Sequence, residues 1–212
     1  VRLLAFDTAL GACSVACCDD DRTMAARREP MAVGQAERLV PMIALAMHEA
    51  GWSWSEVELL AVTLGPGTFT GIRVGLAAAR GLALATGRPC LGVSTPEAMA
   101  AAVGAGRALL CVVLGRQGTR YAQPFAASGA PLGPVQAARA VDLEALRPDA
   151  AVLVDDPDLV DGPAVAAAAL RRLRAGAAPV PGTALRPLYL RDADARPDAG
   201  RPLVGGPGAV SG

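Results

Sequence analysis

Residues Leu59 to Ala85 read LLAVTLGPGTFTGIRVGLAAARGLALA, an apolar strand that enters a Gly-Pro-Gly turn and leaves it as a Gly- and Ala-rich helix. Two readings compete here. The loop of Gly65, Pro66, Gly67, Thr68, Thr70 and Gly71 sets backbone N–H groups and hydroxyls at a helix N-terminus, where an anion is favoured. The helix carries Gly71, Gly75, Ala79 and Ala83 at four-residue spacing, a bald face that another backbone can approach closely.

The chain of 212 residues is 52% hydrophobic and 19% charged, material for one domain or two small ones. Its formal net charge is zero, so bulk charge leaves no footprint for nucleic acid. All 20 cationic residues are Arg, which excludes a Schiff-base or P-loop lysine. A lone histidine, His48, excludes paired-histidine metal sites. Cys13, Cys17, Cys18, Cys90 and Cys111 form no C-x-x-C pair and read as buried core thiols of a reducing compartment. The chain opens on strand-like VRLLAFDT, so no signal peptide is expected. Val74 to Ala85, broken by Arg80, is shorter than the roughly 20 residues of a membrane span. The expected location is the cytoplasm.

Leu3–Asp7, Cys13–Cys18 and Thr23–Glu29, joined by tight turns, predict an antiparallel meander. Gly34 to Ala50 has helical spacing, with Pro41 opening or kinking the helix and Gly51 closing it. Ser53-Trp54-Ser55-Glu56 has capping-box spacing for a short helical turn. Leu59–Leu64 and Cys90–Val93 read as strands, and Thr70–Thr86 and Thr95–Val103 as helices. After Gly104-Ala105-Gly106, a hairpin (Ala108–Leu114, Tyr121–Ala126), a helical piece (Asp142–Leu146), a strand (Ala151–Val154) and a helix (Pro163–Arg174) form a second unit. The expected division is 1–104, 105–195 and a flexible Gly/Pro-rich tail over 196–212.

Asp7 and Thr8 end the first strand, where they either hold a nucleotide's metal and phosphates or start a turn. The Gly65–Gly71 loop matches neither a Walker A loop nor the dinucleotide fingerprint, and phosphate cradle and tight turn stay open for it. Asp155-Asp156-Pro157-Asp158 reads as a solvated turn rather than a cation site. One histidine supports neither a Ser-His-Asp nor a Cys-His arrangement.

Taken together, LLAFDTALGACSVA, GQAERLVPMI, VTLGPGTFTGIRVGLAAARGLALATGRPCLGVSTPEAMA and LRPLYLR closely resemble the TsaB (YeaZ) family. The resemblance implies an α/β, actin-like ATPase (ribonuclease H-like) fold with two subdomains of mixed sheet and packed helices. It implies a non-catalytic subunit, not a peptidase, that activates the paralogue TsaD in making threonylcarbamoyl-adenosine at position 37 of tRNA, with the ATPase TsaE joining the pair. On it, the partner interface falls on Leu39, Met42, Ile43 and Met47 of the first helix. On the second helix it falls on Gly71, Arg73, Gly75, Ala79 and Ala83.

Asp7, Thr8, Gly65, Pro66, Gly67, Thr68 and Thr70 form the candidate nucleotide site. No catalytic or metal-binding residue is assigned, and no cofactor is required by the chain itself. ATP and magnesium, if they enter, belong to the complex. The helical face also predicts a homodimer in isolation, and tRNA contact only through the complex. The alternative is an autonomous ATP-dependent kinase or carbamoyl transferase of the actin-like superfamily. Two departures from the family pattern stand out: Gln35 replaces a common His, and Leu114-Gly115-Arg116 replaces Asp-Ala-Arg.

Overall fold

The structure is a computed structural model that describes residues 1–115, 118–138 and 142–190. Arg116 and the whole of 196–212 lie outside these residues. Strands β1 (Arg2–Asp7), β2 (Ala12–Asp19) and β3 (Arg22–Pro30) form the expected meander. Helix α1 (Gln35–Ala50) follows, then β4 (Leu59–Gly65), α2 (Phe69–Thr86), β5 (Cys90–Ser94) and α3 (Thr95–Val103). The first sheet runs β3-β2-β1-β4-β5, with β4 parallel to β1 (Leu3 opposite Leu59) and β5 parallel to β4.

Alternation along the strands explains why both sheet faces are apolar. Leu4, Phe6, Leu60 and Val62 point to the face covered by α1 and α2. Leu3, Ala5, Leu59 and Ala61 point to the other. A strand covered on both sides reads as a continuous apolar run, and β1 and β4 do.

The second sheet is built from β6 (Leu109–Leu114), β7 (Arg120–Phe125), β8 (Gln136–Ala138) and β9 (Val152–Val154), in the order β8-β7-β6-β9. A meander with a parallel strand beside its first member repeats β3-β2-β1-β4 of the first sheet. This doubled arrangement is the actin-like α/β fold expected from the sequence. The short α4 (Leu143–Leu146) packs on the outer face of the second sheet.

Helix α5 (Gly162–Arg174) follows the second sheet in sequence, yet with α3 it shares one core with both sheets, from Leu3 and Ala16 to Leu109 and Phe125. The division at 104–106 therefore marks a change of sheet, while α5 crosses back to cover the first. Gly162 allows the crossing, because a Cβ there would lie 2.5 Å from the Ala16 nitrogen. The Gly162 N–H donates to the buried Ser14 Oγ over 2.8 Å. Ser14→Ala leaves that N–H without its partner and is expected to cost about 1–3 kcal/mol. Urea unfolding and amide exchange at the start of α5 measure it, and unchanged protection there would show that the bond does not hold the helix.

Local details depart from expectation in two places. Pro41 sits within α1, six residues past its first, so of the two roles expected, opening or kinking the helix, it does not have the first. Ser53–Glu56 forms a hydrogen-bonded turn rather than a helix, with the Glu56 carboxylate accepting from the Ser53 N–H and hydroxyl. The capping box belongs instead to α3, where Ser94 Oγ accepts from the Glu97 N–H and Glu97 accepts from the Ser94 N–H.

Candidate functional site

The Gly65–Gly71 loop, open between phosphate cradle and tight turn in the sequence, packs against the end of β1. Thr68 N–H donates to Ala9 O over 2.7 Å, and Thr68 Oγ1 caps α2 by accepting from the Gly71 N–H. Thr8 Oγ1 donates to Gly71 O over 2.7 Å, and Thr95 Oγ1 to Pro66 O over 2.6 Å. Close approach is obligatory: a Cβ on Gly67 would lie 2.4 Å from Ala9 O, and one on Gly71 would lie 1.9 Å from Thr8 O. Gly65 and Pro66 are buried, joined by a cis peptide, while Gly67, Thr68 and Thr70 are exposed. The N–H groups of Thr68 and Gly71 are thereby committed within the chain. The turn after β1 is stitched to the start of α2.

Asp7 lies beneath this junction with no exposed surface. Its Oδ1 accepts from the Thr63 hydroxyl and from the Ala9 N–H, while Oδ2 is buried without a hydrogen-bond partner. Burial pushes its pKa up to about 6, against the opposing pull of those two hydrogen bonds. A general acid or base must reach its substrate, and this carboxyl reaches only protein.

The partner-facing residues expected on the two helices need correction. Leu39, Met42, Ile43 and Met47 are buried in the core beneath α1. The small stripe of α2 also faces inward. Gly71 meets Thr8, Gly75 meets Thr8 Oγ1 and Val62, and Ala79 sits in the same core as Cys90. Ala83 receives Gly182, whose Cβ would lie 2.7 Å from that of Ala83. Only Arg73 of the nine is exposed. The spacing foretold close approach correctly, but the backbone that approaches is this chain's own.

What α1 and α2 present outward is a different set. On α1, Ala36, Val40, Pro41, Ala44 and Leu45 are exposed, and on α2 Ala77, Gly81, Leu84 and Ala85, with Leu84 87% exposed. A Cβ on Gly81 meets nothing within 4 Å. Two adjacent helices thus share an apolar outer surface.

Residues 185–190, the described part of the LRPLYLR motif, build the second flank of α2. Val180 bridges to Cys90, Leu185 is buried in the core under α2, and Leu188 N–H donates to Leu64 O over 2.8 Å. Arg80 of α2 donates to Leu185 O over 2.7 Å. This strap, residues 177–190, escaped the sequence reading as an element because it has neither helical nor strand periodicity.

The remaining candidates are structural. The five cysteines are buried and free, and burial pushes the thiols up, Cys17 and Cys111 to about 12. Asp156 caps a 3-10 turn at Pro157–Leu159, and Asp158 pairs with Arg28. Gln35 donates to Met31 O over 3.1 Å and secures the loop before α1, and His48 is exposed near that helix's end. Leu114 is exposed, and a Cβ on Gly115 would lie 2.7 Å from the Tyr121 ring. Among the described residues no three His, Cys, Asp or Glu are grouped to hold a metal, and no helix is long and apolar enough to cross a membrane.

An actin-like α/β protein with its loop stapled shut and an apolar pair of outer helices is the class this geometry defines. A family model described as TsaD, tRNA N6-adenosine threonylcarbamoyltransferase, matches residues 31–142, more than half of the chain. The tRNA threonylcarbamoyladenosine biosynthesis protein TsaB of Escherichia coli is 42% identical over 100 residues, 47% of this chain and 43% of that protein. The TsaB of Haemophilus influenzae is 37% identical over 108 residues, again 43% of that protein. The matches to these curated relatives thus span less than half their length. The solved structure of YeaZ from Pseudomonas aeruginosa superposes with a TM-score of 0.75 at 27% identity, covering 89% of this chain and 99% of that one. The chain belongs to the TsaB (YeaZ) family.

Proposed function

We propose that this chain is the non-catalytic subunit that docks a TsaD-type transferase and activates it for threonylcarbamoylation of adenosine in tRNA, with TsaE joining the pair. The apolar outer surface of α1 and α2 carries this reading. Leu84, Val40 and Leu45 are large apolar residues on two neighbouring helices, which is the form of a protein contact rather than of a solvated face. The stapled loop supports the same side: with its Thr68 and Gly71 N–H groups committed within the chain, it favours a subunit over an autonomous kinase or carbamoyl transferase. In this reading the chain works in the cytoplasm without a cofactor of its own, and ATP and magnesium enter with the complex. The same surface on a second copy makes the isolated chain a homodimer that TsaD displaces.

The test follows from the corrected residues. Gly75→Leu would drive atoms into Thr8 and Val62 and so report on folding instead of docking. Leu84→Arg alters only the outer surface, and it is expected to weaken TsaD binding at least tenfold with Tm within about 2 °C of wild type. Tritium-labelled threonine incorporation into tRNA, reconstituted with TsaD, TsaE and the threonylcarbamoyl-adenylate synthase, should fall in parallel. Full activity when the chain is omitted would overturn the reading.

A further inference from the structure

Zero net charge conceals an uneven distribution. No Asp or Glu occurs in residues 59–96, nor in 162–190. The fold brings these two acid-free segments together, because the strap lies along α2 through the Arg80–Leu185 and Arg73–Tyr189 contacts. Arg73, Arg80 and Arg186 are exposed on this flank, and none pairs with a carboxylate among the described residues. A neutral chain therefore carries a local cationic face.

Two of its few aromatic residues stand on that face. Aromatics make up only 3% of the chain. Phe69, in the first turn of α2, is 57% exposed, and Tyr189 of the strap is 59% exposed. The Arg73 guanidinium lies between them, 3.5 Å from the centre of the Phe69 ring and donating from Nε to Tyr189 Oη over 3.4 Å. Exposed rings cost hydration free energy, and here two are presented side by side around a cation rather than turned into the core.

We propose that Phe69, Arg73 and Tyr189 form a stacking platform for unpaired bases of an RNA, with Arg73, Arg80 and Arg186 meeting its phosphates. Flat rings and a guanidinium plane accept bases of any identity, and cations that pair with no carboxylate among the described residues draw the backbone. The occupant is single-stranded, because stacking needs bases free of a duplex. On α2, Arg80 is four residues before the exposed Leu84 and Arg73 four before Ala77, so this flank borders the apolar docking surface along one helix. The proposal rests on the reading above for the identity of the RNA as tRNA, and it replaces the expectation that tRNA is touched only through the complex.

Fluorescence anisotropy with a labelled RNA hairpin bearing an unpaired loop, titrated with the full chain alone and with its TsaD complex, tests this. Phe69→Ala and Tyr189→Ala are each expected to weaken hairpin binding roughly 5- to 100-fold, while changing affinity for fully paired RNA far less. Arg73→Gln should lower the slope of log K against log salt by about 0.7. All three positions are exposed, so Tm should stay within about 2 °C of wild type. Unchanged hairpin affinity in the three variants, or no binding by wild type in either form, overturns the proposal. Lost TsaD binding with unchanged hairpin affinity also overturns it and assigns the face to protein. Weakened hairpin binding in a chain that does not bind TsaD sustains it while the partner-subunit reading fails.

Discussion

Gly71→Ala should lower stability by about 3 kcal/mol or more, the top of the range for overpacking, and reduce Tm by about 6–12 °C. The added methyl would lie 1.9 Å from the Thr8 carbonyl oxygen at the end of β1 and 2.6 Å from Thr68 Oγ1, the cap of α2. Backbone oxygen cannot swing aside as the tip of a long side chain can. Relief requires α2 to retreat from β1, which breaks the Thr8–Gly71 hydrogen bond and opens the apolar layer beneath. Gly81→Ala is the control within the same helix. Its Cβ meets nothing within 4 Å, and the better helix propensity of Ala should raise stability by up to about 1 kcal/mol. Differential scanning calorimetry of both variants decides the matter, and a Gly71→Ala melting point within about 2 °C of wild type would refute the junction.

The second large effect is a pH dependence centred on Asp7. Its pKa is raised from 3.8 to about 6 in the fold, so between these values the folded chain binds a proton that the unfolded chain releases. Stability linked to this group is therefore fully present below about pH 4 and is lost as pH rises through 6. A gap of roughly two pH units corresponds to about 3 kcal/mol at neutral pH. The charges bearing on the carboxyl are Asp161, which opposes its ionisation, and Arg28, which favours it. Asp7→Asn keeps an acceptor for Thr63 and Ala9 and removes the ionisation. Its stability relative to wild type should climb between pH 4 and 7, as urea unfolding would measure. Parallel profiles for the two proteins would show that Asp7 does not titrate in this range.

Much of the secondary structure was legible because strands covered on both faces leave continuous apolar runs and helices leave a 3.6-residue stripe. Leu59–Leu64 and Thr95–Val103 were placed almost to the residue. The direction in which α2 faces was not legible. Four-residue spacing of Gly and Ala announces that a backbone comes close, but its identity depends on Thr8, 63 positions upstream of Gly71, and on Gly182 in the strap. The second sheet lost β8 because three residues, Gln136–Ala138, carry no period. Helix α5 was read correctly as a helix. Its return to the first sheet is set by the fit of Gly162 on β2, which no local pattern encodes. The cationic face was hidden by summing charge over the whole chain. The runs without Asp or Glu at 59–96 and 162–190 were the available signal.

The strap has a consequence for the order in which the molecule can be completed. Leu185 fills the core under α2, and Val180 closes on Cys90, so the first sheet is finished by residues made about 90 positions after its last strand. A nascent chain that has released β1 to α3 holds a sheet with α1 and α2 in place, but with its α5 side bare and the Leu185 position vacant. Vectorial synthesis thus leaves this half waiting for residues 162–190, and the second sheet must emerge before the first is sealed.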